Sequence, residues 1–176
     1  MSTLTIQTST VYSSPVGDLL LTRDGASLTG LYFLDKEAHS SRNESSCFTD
    51  SDFSSESEVF SELTSQLDEY FAGTRQTFEL NTLSIRSEGT VFQKRVWNEL
   101  CRIPYGQTIS YGELAKRLGQ PTASRAVGLA NGRNPISILV PCHRVIGANG
   151  KLVGYGGGLE RKKKLLEIEN AMQWTS

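Results

Sequence analysis

Ser110-Tyr-Gly-Glu-Leu-Ala-Lys-Arg-Leu-Gly-Gln-Pro-Thr-Ala-Ser-Arg-Ala-Val-Gly-Leu-Ala130 reads as two short helices with a tight break between them. Ser110 and Glu113 have the spacing of a capping box, in which a hydroxyl and a carboxylate satisfy the free N–H groups of a first helical turn. Leu114, Ala115 and Leu118 continue at helical spacing, and Gly119 supplies the stop. After Gln120-Pro121, Thr122 is the expected N-cap of a second helix running from Ala123 to about Ala130. Most of its residues are small: Ala123, Ser124, Ala126, Gly128 and Ala130. Short helix, glycine-containing turn, second helix is the helix-turn-helix arrangement. Small side chains would let the second backbone lie close to another surface, and packing against a neighbouring helix accounts for them equally well.

Upstream, Thr90-Val-Phe-Gln93 is another capping box, followed by Phe92, Val96, Trp97, Leu100 and Ile103 on one helical face. Cys101, one turn beyond Trp97, reads as a core thiol, and Pro104-Tyr-Gly-Gln107 breaks the helix. The beginning of the chain is different. Thr8–Tyr12, Leu19–Thr22 and Leu28–Phe33 are strand-like, separated by turn signals at Ser14-Pro-Val-Gly17 and Asp24-Gly25. Residues 36–58 hold eight serines, several acids and Cys47, and read as a surface loop with too little apolar surface to order itself. Val59, Phe60, Leu63, Leu67, Tyr70 and Phe71 restore a helical stripe that ends at Ala72-Gly73, and Phe78–Ile85 reads as a last strand or an extended linker. The expected fold is α+β. A small antiparallel β-unit with one helix (1–88) precedes a mainly helical domain (89–176) that carries the helix-turn-helix and a reactive cysteine.

Charge divides at the same place. Residues 1–88 carry 5 Lys/Arg against 14 Asp/Glu, a net of −9, and residues 89–176 carry 13 against 5, a net of +8. A polyanion would meet mainly the basic half. No apolar run reaches the roughly 20 residues of a membrane span, and the N-terminus lacks the pattern of a secretory signal. Three cysteines, an odd and sparse set, fit a reducing compartment. A cytoplasmic, nucleoid-associated protein with no membrane partner is the expectation.

Pro141-Cys-His-Arg-Val-Ile-Gly147 carries the chemistry, following Ile138-Leu-Val140, a run that looks like a buried strand. A thiol needs a base to become the nucleophilic thiolate, and His143 adjoins Cys142. In an extended strand the two would point to opposite faces, so the chain must turn at Pro141 or a water must bridge them. A C-terminal helix from about Leu159 to Ala171 is expected, with Leu165, Leu166 and Ile168 inward and Glu167 paired with Lys163 or Lys164. Glu169 falls on or beside that apolar stripe, where a carboxylate needs a partner. Glu169, His143 and Cys142 would make an acid–base–nucleophile triad. Alternatively Glu169 caps the helix or pairs with an arginine. One Cys-His pair supplies no four-ligand metal site. Glycines at 147, 150, 154 and 156–158 would let backbone N–H groups approach a planar substrate, and no phosphate-binding lysine motif calls for a nucleotide cofactor.

These pieces, from Phe92 to Glu169, resemble the methylated-DNA–protein-cysteine methyltransferases, also called 6-O-alkylguanine-DNA alkyltransferases. The matching motifs are Gly106-Gln-Thr-Ile-Ser-Tyr-Gly-Glu-Leu-Ala115, Ser124-Arg-Ala-Val-Gly128, Asn134-Pro135, Ile138-Leu-Val-Pro-Cys-His-Arg144 and Gly154-Tyr-Gly-Gly-Gly-Leu159. Length and layout are most similar to the free-standing bacterial type. The resemblance implies that Cys142 accepts the alkyl group, His143 is its base through a water, and Glu169 orients His143. It implies that Tyr111 protonates ring nitrogen 3 of the leaving guanine, and that Asn134 ties the recognition helix to the active-site strand. It implies that Arg125 enters the base stack where a nucleotide has flipped out, with Ala123, Ser124, Tyr111 and Arg133 also at the DNA. Carbonyls of Cys142 and Val145 would hold the guanine amino group, and Tyr155 and the Gly156 amide would line the pocket.

The implied partner is double-stranded DNA carrying alkylated bases, 6-O-alkylguanine foremost and 4-O-alkylthymine besides. It would meet a chain that is monomeric in solution and open to cooperative binding on DNA. The implied reaction is a single, irreversible transfer, with no cofactor and no metal. Zinc ligands found near the N-terminus of some members have no counterpart, and Ser137 stands where some relatives have proline. With Gly156, that substitution leads to the expectation of a roomier pocket. Three other readings compete. A lesion-binding relative without chemistry carries tryptophan at the nucleophile position, a thiol hydrolase would turn over, and a helix-turn-helix regulator would not need the triad.

Overall fold

A computed structural model describes residues 7–25, 27–34, 53–80, 85 and 88–171, and of 53–59 the backbone alone. By internal contacts the chain divides into two units, Met1–Arg86 and Ser87–Ser176.

The first unit is built on an antiparallel meander of β1 (Gln7–Ser14), β2 (Gly17–Asp24) and β3 (Ser27–Phe33). Gly17 at φ 111° and Gly25 at φ 56° supply the positive dihedrals that the two tight turns require. Alternation along β2 buries Leu19 and Leu21, and a register shift at Thr22/Arg23 lets Leu28 and Leu31 of β3 both be buried. Helix α1 (Phe53–Phe71) packs on β1. Its inward stripe is Phe60, Leu63, Leu67 and Tyr70, all buried. Buried Gln66 accepts the Glu79 amide at 3.0 Å and so pins the chain that follows. Gly73 at φ 74° closes the helix, with Thr74 N–H donating to the Glu69 carbonyl across the final turn.

One expectation changes here. The helix starts at Phe53, so residues 53–58 are helical rather than loop. The serines and acids there (Ser54, Ser55, Glu56) suit a helix start as well as a loop, which is why composition misled. The rest of that stretch, Cys47 included, lies outside the described residues. In Phe78–Ile85, only Ile85 makes a ladder contact among the described residues, an isolated parallel bridge to Leu28.

The second unit contains α2 (Val91–Leu100), β4 (Ile109–Ser110), α3 (Tyr111–Arg117), α4 (Ser124–Gly132), a 3-10 turn (Cys142–Arg144), β5 (Val145–Ile146) and α5 (Leu159–Ile168). Thr90 and Gln93 form the reciprocal capping box that starts α2. Val96, Trp97 and Leu100 face inward, and Trp97 Nε1 donates to the Ala130 carbonyl at 2.9 Å, fastening α2 to the last turn of α4. Helix α3 begins on a one-way cap: Ser110 Oγ accepts from Glu113 N–H at 3.0 Å, while the Glu113 carboxylate pairs with Arg117. It ends at Gly119 (φ 73°), and Gln120 N–H donates to the Ala115 carbonyl. Gln120 to Ala123 is then a turn with Pro121 at its second position. That turn uses up Thr122, so α4 starts one residue later than expected, with Ala123 as an N-cap that makes no side-chain bond.

The remaining differences concern apolar runs. Ile138, Leu139 and Val140 are buried but form turns rather than a strand, with Ile138 at φ 72°. A short buried run has no periodicity of its own, and a β-branched residue in the left-handed region is held there against its preference. Cys101 caps the C-terminus of α2 and is exposed, because α2 ends at Leu100 and its inward face stops there. Helix α5 stops at Ile168, three residues before the expected end, with Asn170 at φ 53° and Ala171 N–H donating to the Leu166 carbonyl. Thr90→Ala should lower the unfolding free energy by about 1 kcal/mol, since it removes one half of a reciprocal cap. Urea unfolding checks this, and an unchanged midpoint would mean that the box contributes nothing.

Candidate active site

A two-rung parallel ladder positions the site. Ile109 pairs with Val145 and Ser110 with Ile146, so the start of α3 lies beside the Cys142–Arg144 turn. Tyr111, the first residue of α3, therefore stands next to the cysteine turn, although 31 residues separate them in sequence. The turn itself answers the geometric question raised by Cys142-His143. The chain bends after Pro141 into a 3-10 turn, and its three residues are all buried.

Asn134 fastens α4 to this turn. Its Nδ2 donates to the Val140 carbonyl at 2.8 Å and to Cys142 Sγ at 3.1 Å, and its Oδ1 accepts from Ile136 N–H at 3.0 Å. Asn131, buried on α4, donates to the Cys142 carbonyl at 3.3 Å. The Cys142 thiol is 4% exposed. Burial pushes it up, and the Asn134 hydrogen bond and the Lys162 charge only partly offset this. At rest the sulfur keeps its proton, so nucleophilic use demands a base.

His143, the next residue in the chain, is the candidate for that base. Its Nε2 lies 2.7 Å from Glu169 Oε1, and both side chains are fully buried. Burial alone would raise the Glu169 carboxyl, but His143 and Arg144 outweigh it and hold the group well below the usual carboxylate range. An ionised carboxylate can only accept, so Nε2 must carry the hydrogen and Nδ1 the lone pair. Nδ1 is buried and has no hydrogen-bond partner. Burial also depresses the imidazole, against the pull of Glu169, so the ring is neutral at rest. A neutral imidazole with a free lone pair beside a protonated thiol is an acid–base pair awaiting a proton path.

All three readings of Glu169 hold together. It bonds His143, it is the C-cap of α5, and Arg144 grips it from the other side. Capping explains the burial. At the end of the helix, Glu169 leaves the apolar stripe and enters the gap between α5 and the cysteine turn.

Tyr111 donates to the Gly154 carbonyl at 3.1 Å and the Val153 carbonyl at 3.3 Å. Burial and the neighbouring Cys142 push its phenol up to about 12, so it remains a proton donor throughout the neutral range. Lys162, which sequence reading missed, donates to the carbonyls of Val145 at 2.6 Å, Val153 at 2.7 Å and Gly154 at 3.3 Å. It is fully buried, and burial lowers it to about 8. A lysine run on a helix reads as a solvated face, yet Lys162 is one residue round from Arg161 and Lys163 and faces inward. Tyr155 is half-buried overall but its hydroxyl is buried, with Ser137 as a hydrogen-bonding partner, and the neighbouring Gly156 has the Gly132 carbonyl beside its α-carbon.

The other candidates form a separate, outward face. Arg125 and Arg133 are exposed at the two ends of α4, with Ala126, Leu129 and Gly132 exposed between them, while Ala123 and Ser124 are half-buried. Helix α4 and the residues just after it thus carry basic side chains outward and the Asn131 and Asn134 links inward.

The sequence profile of the 6-O-methylguanine DNA methyltransferase DNA binding domain matches residues 91–171, and that of the ribonuclease-like domain of the same proteins matches residues 8–84. A methylated-DNA–protein-cysteine methyltransferase of Mycobacterium leprae is 51% identical over 165 residues, which is 93% of this chain and 92% of that one. The chain belongs to the 6-O-methylguanine DNA methyltransferase family. A crystal structure of the Mycobacterium tuberculosis O6-methylguanine methyltransferase aligns with a TM-score of 0.76 at 43% identity, covering 97% of this chain and 96% of that one. Another from the same organism, in complex with DNA, aligns with a TM-score of 0.74 at 45% identity and 94% coverage of both chains. Among the described residues of this methyltransferase-family chain, no helix is long and apolar enough to cross a membrane.

The buried acid has a stability consequence with a definite sign. Because Glu169 keeps its charge to lower pH than an unfolded glutamate, the unfolded chain binds the proton first as pH falls. Its contribution is complete above the ordinary carboxylate range, about 4.3, and is lost below it. Urea midpoints measured from pH 7 to pH 3 should fall most steeply in that lower part, and Glu169→Gln should flatten it. Parallel curves for the two proteins would contradict the assigned charge.

Proposed function

We propose that this protein repairs DNA by moving an alkyl group from O6 of guanine, and from O4 of thymine, onto Cys142 in one irreversible step. The observation that carries the reading is the buried Cys142–His143–Glu169 cluster, with a lone-pair nitrogen left unbonded beside a protonated thiol. In this scheme the thiol proton passes through a water to His143 Nδ1, and Glu169 stabilises the imidazolium that forms. The thiolate attacks the alkyl carbon, a C–S bond forms, and the C–O bond breaks with its electron pair moving to the base oxygen. Tyr111 gives a proton to ring nitrogen 3, so the base departs as neutral guanine. The product is a thioether, which no group in the site can hydrolyse, so each molecule acts once.

Burial of the sulfur requires that the base come to it. A nucleotide turned out of the duplex costs a few kcal/mol, least where pairing is already weakened by the adduct. Helix α4 would enter the minor groove on its small residues, and Arg125 would fill the vacated stack. Carbonyls of Cys142 and Val145 would accept from the guanine amino group. Phosphate attraction to the basic half would give nearly sequence-blind binding by a monomer. A cytoplasmic, nucleoid-associated location follows from the same reading.

Incubation with duplex DNA bearing 6-O-methylguanine, followed by intact-mass measurement, should add one methyl per protein, located on Cys142. Turnover, or unlabelled protein that still binds, would contradict the reading. Cys142→Ala should bind DNA and transfer nothing. Arg125→Ala should slow transfer by roughly 5- to 150-fold through the lost stacking, a cost of order 1–3 kcal/mol; full-rate repair in that variant would remove the assigned role. Tyr111→Phe should slow single-turnover transfer by about 10²- to 10⁴-fold, the range of a lost general acid.

A further inference from the structure

We propose that Arg144 is a positioning residue that grips the Glu169 carboxylate and thereby sets the resting state of His143 as a neutral base. The inference rests on His143 acting as the base in the reaction above. Each of the three guanidinium nitrogens of Arg144 donates here. Nε donates to Glu169 Oε2 at 2.9 Å, Nη2 to Glu169 Oε1 at 3.0 Å, and Nη1 to the Ile103 carbonyl at 2.6 Å. Its guanidinium carbon also lies 5.8 Å from the centre of the Tyr105 ring. Tyr105 in turn donates to the Ile168 carbonyl at 3.0 Å, and Gly106 N–H donates to Glu169 Oε2 at 3.3 Å. The break after α2 therefore wraps the end of α5 and leaves the carboxylate one orientation.

The charge count makes this more than a scaffold. His143 faces Glu169 at the end of α5, Lys162 from within α5, and Arg144 on its own turn, which also carries Cys142. A buried carboxylate 2.7 Å from an imidazole, with no other partner, would favour the charged pair and draw a proton onto the ring at rest. Arg144 places a full, permanent positive charge on the same two oxygens. The carboxylate can then orient the imidazole without saturating it, and Nδ1 stays free to take the thiol proton when substrate arrives. Both Arg144 and Lys162 disfavour the imidazolium, and Arg144 is the one in contact with its counter-ion.

Ring-15N histidine NMR on the full-length protein tests this directly, because the chain has two histidines, His39 and His143. Wild-type His143 should titrate below the ordinary histidine range, because burial and the Arg144 and Lys162 charges disfavour its protonated form. In Arg144→Gln its midpoint should rise by about one pH unit or more, with His39 unmoved. In Arg144→Lys, whose single ammonium cannot span both carboxylate oxygens, the midpoint should rise by less. A folded Arg144→Gln protein whose His143 titrates with the wild type would overturn the proposal. Should that variant fail to fold, an unmoved midpoint in Arg144→Lys would do so instead. Failure of the wild type to accept a methyl group would sink the alkyl-transfer reading and leave the Arg144–His143 coupling standing, whereas an unmoved midpoint would do the reverse.

Discussion

A single ionised carboxylate, taken out of water at the end of α5, organises the catalytic half of this protein. An unpaired charge there would be strongly unfavourable, and the fold meets it with three donors from two stretches of chain: His143 and Arg144 from the cysteine turn, and Gly106 from the break after α2. Each donor has a second duty. His143 keeps its other nitrogen buried and unbonded, Arg144 reaches back to the Ile103 carbonyl, and Gly106 lies where the chain changes direction toward β4. The tautomer of the imidazole follows from the charge of the acid, and with it the direction in which a proton can move.

Helix α4 and the Cys142 sulfur are joined by short polar links rather than by packing alone. Asn134 holds Cys142 Sγ and the Val140 carbonyl, Asn131 holds the Cys142 carbonyl, and both asparagines belong to the end of α4 or the residues just after it. On the opposite side of the turn, Lys162 and Tyr111 share the carbonyls of Val153 and Gly154. The cysteine turn is thus suspended between α4 and the glycine-rich loop. Ile138, in a conformation that β-branched residues avoid, marks where the chain is bent to make this possible.

The sequence disclosed the features that depend on neighbouring residues. The Thr90 box, the glycine stop of α3 and the helical stripe of α1 are local rules, and they appear as read. So does the proximity of Glu169 to His143, because a carboxylate beside an apolar stripe needs a partner and the chain offers few. What it concealed depends on tertiary placement. Lys162 looks like one of four consecutive basic residues on a surface, and only the packing of α5 turns it inward. Arg144 looked like the far end of a nucleophile motif, although an arginine partner for Glu169 had been among the alternatives. The run at Ile138–Val140 has strand composition but must turn to deliver Cys142. Cys101 keeps helical spacing with Trp97 and is nonetheless exposed, because the helix ends one residue too early to carry it inside.

The account turns on which nitrogen of His143 holds the hydrogen. At neutral pH, 15N shifts and one-bond couplings of the His143 ring in the unreacted protein report this without reference to any substrate. A proton on Nε2 and none on Nδ1 is the predicted result. A proton on Nδ1, or on both nitrogens, would leave the sulfur without an acceptor and contradict the mechanism.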